Sequence, residues 1–84
     1  MKPNVSTPLD QIPLGCAHVV ARLEAPASSE WVRRLEELGF MPGERVMLMA
    51  RGAFGGDPLV VRVGLSTFAL RRAEAACIHV GIAA

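Results

Sequence analysis

Apolar and polar side chains alternate in several short runs along this chain, and one stretch departs from that rhythm into helical spacing. Arg45 to Arg51 alternates, with Val46, Leu48 and Ala50 on one side and Arg45, Met47, Met49 and Arg51 on the other, as a half-buried strand requires. Leu59–Val63 and Leu65–Leu70 flank Gly64, which permits a tight turn and predicts a hairpin. Cys16 to Leu23 and Cys77 to Ile82 supply a first and a last strand, with Ile78, Val80 and Ile82 toward the core. Between the first two strands, Trp31, Val32, Leu35 and Leu38 fall at helical spacing, and Glu30 stands four residues before Arg34 in the favourable order.

The boundaries carry their own signals. Ser28 or Ser29 can cap the helix after the break at Pro26, and Gly39 stands where a helix end needs a left-handed residue. Met41-Pro42-Gly43 then bars continuation. Gly52 to Pro58 holds three glycines and a proline in seven residues and is expected to be a loop with Phe54 exposed in its middle. Residues 1–8 form a flexible start, Leu9 to Gly15 is a lead-in that docks on the core, and 9–84 make one domain. About five short strands with one helix after the first predict a mainly β fold, a small SH3-like antiparallel β-barrel.

Composition narrows the function. The 84 residues leave room for one modest core, and an apolar share of 51% can fill it. A net charge of +1 lacks the basic excess of nucleic-acid modules, which leaves a small RNA-binding barrel as the weakest of three functions considered. Eight of the nine basic residues are Arg, which suits pairing with carboxylates or a protein partner. No apolar run is long enough to span a bilayer, so no membrane insertion is expected, and the N-terminus lacks the apolar core of a signal peptide, predicting a cytoplasmic protein. In a reducing cytosol Cys16 and Cys77 are expected as free thiols.

No serine or threonine is paired with a base, and no glycine loop ends in Gly-Lys-Ser/Thr, so an enzyme is not expected. The one chemical coincidence is Cys16-Ala17-His18 with Cys77-Ile78-His79, two pairs that could supply four ligands if the end strands are neighbours. Against this, inward Ile78 and Val80 turn Cys77 and His79 outward, while Cys16 and His18 share a face with Val20. That favours surface binding of a transition metal, Fe(II) or Zn(II), by His79 with a neighbouring group across a weak homodimer contact, over a four-ligand site. No cofactor is required. Met47 and Met49, beside Arg45 and Arg51, form either an adaptable apolar patch for a partner or a face covered by the helix.

Arg34-Leu35-Glu36-Glu37-Leu38-Gly39-Phe40-Met41-Pro42-Gly43 resembles the RLxxLGxxPG signature of FeoA-type domains. Gly56-Asp57-Pro58-Leu59 with Val61 and Val63 is similar to the family's GDPxxVxV, and Ala69-Leu70-Arg71-Arg72-Ala73-Glu74-Ala75 to its ALRxxEA. The family's hairpin glycine would fall on Leu65, and Gly64 stands one place earlier, which leaves the turn register open. The resemblance implies an SH3-like fold and a cytosolic, non-enzymatic accessory of ferrous iron uptake that works beside FeoB, a membrane transporter with a cytosolic G-protein domain. Candidate contacts are Met47, Met49, Arg45, Arg51, Phe54 and Asp57. The alternative is a transition-metal carrier or sensor using His18, His79, Cys16 and Cys77. Most signature residues have structural explanations: Gly39, Pro42 and Gly43 end the helix, Leu35 and Leu38 fill the core, and Asp57 bonds amides of its own turn.

Overall fold

The computed structural model describes residues 6–24 and 29–83. Strands β1 (Thr7–Pro8), β2 (Ala17–Leu23), β3 (Arg45–Gly52), β4 (Gly56–Val63), β5 (Ser66–Leu70) and β6 (Ile78–Ile82) form one antiparallel sheet in the order β1-β6-β2-β3-β4-β5. Helix α1 (Ser29–Leu38) follows β2, and a single helical turn, α2 (Arg72–Ala75), joins β5 to β6. The sixth strand arises because Thr7 and Pro8, expected in the flexible start, pair with Val80 and His79. The helix therefore follows the second strand rather than the first. The expected break at Pro26 to Ser28 and the first five residues lie outside the described residues.

The sheet wraps a continuous core in which Val20, Val46, Leu48, Leu59, Val61, Val63, Leu70, Ile78 and Val80 point inward from five strands. The lead-in contributes Leu9 and Ile12, both buried, through a 3-10 turn at Leu9–Gln11. Leu35 drops from α1 into this core, and Phe40 follows it, packing its ring 6.1 Å from Phe68 at a 53° tilt. Trp31 stays largely outside the core although it shares the helical stripe.

Helix α1 ends as its glycine predicts. Gly39 adopts φ +114°, its N–H donates to the Glu36 carbonyl at 3.0 Å, and the Phe40 N–H donates to the Leu35 carbonyl at 3.0 Å. This pair of bonds satisfies two otherwise orphaned carbonyls and aims Phe40 back at the core. Met41-Pro42-Gly43-Glu44 then reverses the chain, with the Glu44 N–H donating to the Met41 carbonyl.

Two bulges revise the simple alternation. In β2 the pairing shifts between Val20 and Arg22, so Arg22 lies outside opposite His79 and Leu23 inside opposite Ile78. In β3 it shifts between Leu48 and Ala50, so Ala50 faces outward opposite Val60 and Arg51 takes the inward register opposite Leu59. Ala50 therefore does not join Val46 and Leu48 in the core row. The stretch expected as a loop from Gly52 to Pro58 is a narrow hairpin tip instead: β3 runs to Gly52, β4 starts at Gly56, and Phe54 and Asp57 bridge across it. At the β4–β5 turn Val63 pairs with Ser66, which makes Gly64-Leu65 a two-residue connection and leaves Leu65 94% exposed.

Candidate interaction surface

The four candidate metal ligands are not brought together. β2 and β6 are neighbours, as a four-ligand site would need, but Ile82 lies opposite His18 while Arg22 lies opposite His79. Three residues along β6 put their register positions roughly 10 Å apart along the strands, and the two side chains occupy opposite faces of the sheet. His18 is only 8% exposed and its Nδ1 lies 3.0 Å from the Cys16 carbonyl oxygen, a bond that holds the ring against its own strand. His79 lies outside, with Nε2 3.6 Å from Glu24 Oε1.

The thiols are also divided, and contrary to the alternation argument. Cys77 was expected outside with His79, but β6 begins at Ile78, so Cys77 belongs to the turn after α2 and is buried with its thiol directed at the Ala73 carbonyl, 3.5 Å away. Cys16 precedes β2 and is exposed rather than inward. Burial pushes the Cys77 thiol above its ordinary pKa, and the negative charge of Glu74 adds to the shift. Among the described residues no group of three or more His, Cys, Asp or Glu converges as a metal site.

His79 instead completes a polar cluster at the β1–β6–β2 edge. Arg22 donates through Nε to Glu24 and through Nη1 to Ser6 Oγ at 2.8 Å. The Arg22 hydrogen bond and charge hold the exposed Glu24 carboxyl below the usual carboxylate range, with a smaller contribution from His79.

The residues offered as partner contacts divide into bracing and unspent groups. Arg51, re-registered by the bulge yet still exposed, donates from Nη1 to the Asp10 carbonyl at 2.9 Å and from Nη2 to the Ile12 carbonyl at 3.0 Å, and so ties the lead-in to β3. Asp57 does not serve its own turn alone: its Oδ1 accepts the Arg72 backbone N–H at 2.7 Å, while Arg72 Nη1 donates to the Gly55 carbonyl at 3.0 Å. These two bonds brace the β3–β4 tip against α2. Phe54 stands 86% exposed at that tip, its backbone bridged to Asp57.

On the outer face of β3, Met47 is half-buried and Met49, at the bulge, is 44% exposed, so α1 does not cover this side. Pairing sets Ala17, Met47 and Arg62 in one row across β2, β3 and β4. A shallow groove of about 190 Å³ follows this row, lined by Ala17, Arg45, Val46, Met47, Arg62 and Gly64. Arg62 was not among the candidates from the sequence. Its place beside Met47 depends on strand register, which residue spacing alone does not reveal.

The described residues contain no helix long and apolar enough to cross a membrane. The FeoA domain model matches residues 7–81, which is nearly the whole chain. The chain belongs to the FeoA family. That family is associated with ferrous iron transport and is not known for enzymes. Among solved structures, FeoA from Stenotrophomonas maltophilia, a procaryotic SH3 domain protein complexed with zinc, is 42% identical with a TM-score of 0.77, over 90% of this chain and 88% of that one. Iron(II) transport protein A from Clostridium thermocellum is 32% identical with a TM-score of 0.80, over 90% of this chain but 45% of that one. A manganese-dependent transcriptional repressor shares the fold at 23% identity, with a TM-score of 0.84 over 99% of this chain and 45% of its own. No match was found among curated proteins. The SH3-like barrel expected from the sequence is thus the FeoA fold, with α1 inserted after β2.

Proposed function

We propose that this FeoA domain is a non-catalytic cytoplasmic accessory of ferrous iron uptake that docks on the cytosolic G-protein domain of a FeoB-type transporter. The observation that carries this reading is how the family signature is used. Leu35, Gly39 and Asp57 are consumed by core packing, helix termination and bracing, whereas Phe54, Met47, Met49 and Arg45 remain at the surface. Apolar side chains held outward on a rigid barrel, with an arginine beside them, are what a protein contact uses. Mutual capture of the purified domain and the transporter's cytosolic region, with and without GTP, tests it. Association in at least one nucleotide state is expected, and its absence in all of them refutes the proposal.

A second reading, a carrier or sensor of transition metal, draws on the zinc bound by the 42% identical relative. In this chain it would rest on His79 and Glu24, the one imidazole–carboxylate pair among the described salt bridges. Calorimetric titration with Fe(II) and Zn(II) separates the two. Binding weaker than about micromolar, or unchanged in His79→Ala, removes the carrier reading.

A further inference from the structure

We infer that the groove on the outer face of β3 is the site where a protein partner seats a segment carrying an apolar side chain between carboxylates. This deepens the docking proposal above and rests on it for the identity of the partner, but the chemistry of the segment follows from the groove itself.

Met47 lies opposite Arg62, and Arg45 stands two residues before Met47 on the same face, so the two arginines are diagonal neighbours with Cβ atoms roughly 7–8 Å apart. Their positive charges repel one another at that range. No ion pair among the described residues involves either of them. Arg45 makes no ion pair or side-chain hydrogen bond there, and Arg62 spends only its Nε, on the Gly64 carbonyl at 3.3 Å. Arg22 and Arg34, by contrast, are each matched by a glutamate, Glu24 and Glu74. The forked ends at Arg45 and Arg62 thus remain open to bidentate carboxylates from outside the chain.

Beside them lies an apolar floor. Met47 is half-buried and Ala17 continues the surface across β2, while Gly64 contributes no side chain and leaves the end of the groove low. Methionine adapts its shape to an incoming aliphatic or aromatic group. Arg62 lies across from Met47 and Arg45 two residues along β3, so an apolar side chain seated on Met47 would bring carboxylates on its two adjacent sides within reach of both guanidinium groups. The Arg–Met–Arg arrangement therefore selects an acidic segment with an apolar anchor over either a purely acidic or a purely apolar one.

The test uses the full chain and a defined set of short peptides in which Leu or Phe is flanked by Glu, with the same peptides flanked by Lys as the opposed set. Fluorescence anisotropy is expected to show at least about tenfold tighter binding of the Glu set, weakening as salt rises, and loss of that preference in Arg45→Glu/Arg62→Glu. Met47→Glu should abolish binding, and Met47→Leu should retain it within about threefold. Equal binding of both peptide sets, or a preference that survives the double reversal in a folded variant, overturns the inference. Circular dichroism and melting temperature establish folding of each variant, which exposed Arg45 and Arg62 should permit. Applied to the transporter's cytosolic region, the double reversal is expected to weaken capture at least about tenfold. Unchanged capture places docking elsewhere and overturns the groove alone, whereas peptide selectivity without capture by the parent chain refutes only the transporter as partner.

Discussion

The neck of the β3–β4 hairpin admits a sharp steric test at Gly52. A methyl group added there would lie 2.1 Å from the Asp57 carbonyl oxygen, 2.3 Å from its carbon and 2.6 Å from the Pro58 nitrogen. All three are backbone atoms of the opposing strand, so no rotamer change can relieve the overlap, and the strands must separate. Overpacking that forces backbone movement costs about 2–3 kcal/mol. For a domain of this size each kcal/mol shifts the melting temperature by about 4–8 °C, so Gly52→Ala should melt roughly 8–24 °C below the parent. Urea denaturation followed by circular dichroism should show a lower midpoint with an unchanged slope. Gly81→Ala is the control, because a Cβ there meets nothing within 4 Å and the backbone is not left-handed; it should stay within about 0.5 kcal/mol of the parent. A Gly52→Ala protein melting within about 2 °C of the parent would show that the hairpin neck is looser than its geometry implies.

Asp57→Ala removes the acceptor for the Arg72 backbone N–H and should cost about 1 kcal/mol, with Asp57→Asn recovering part of it; chemical denaturation measures both. Thiol titration with a disulfide reagent should label exposed Cys16 rapidly and buried Cys77 only in denaturant. Because the Cys77 pKa is raised in the folded chain, its contribution to stability is complete below the ordinary thiol range and is lost as pH rises through the raised value, and Cys77→Ala should flatten that alkaline decline. The Glu24 carboxyl is held down, so its smaller, solvent-screened contribution is present above the ordinary glutamate pKa and is lost as pH falls through the lowered value. NMR titration should find Glu24 returning toward the ordinary range in Arg22→Gln.

The hydrophobic alternation of β3, β4 and β6 made the strands legible because one face of each is buried, and the helix ended where Gly39 and Pro42 said it must. What alternation could not convey was its own interruption. A bulge leaves no mark in a Met-Leu-Met-Ala-Arg run, yet it moves Ala50 out of the core row and turns Arg51 from a surface contact into a tie on the lead-in. Cys77 was misplaced for a related reason: parity applies only within a strand, and the chain is still in the turn at that residue. Phe40 was quoted in the signature without being recognised as core, since its burial depends on the helix-ending bonds that aim it at Phe68. The Arg45–Met47–Arg62 grouping required the pairing of two strands separated by a hairpin, information held in register rather than in spacing.

Thr7 and Val80 sit side by side on adjoining strands, so the chain comes into the barrel and departs from it at one edge, about 5 Å apart. Such a unit can be spliced between or appended to other domains without stretching either connection, because both junctions lie together. The manganese-dependent repressor carries the same fold in less than half of its own length. Proximity of the two junctions also means that a host domain would be tethered to the barrel at one edge of the sheet, through two connections of matched reach.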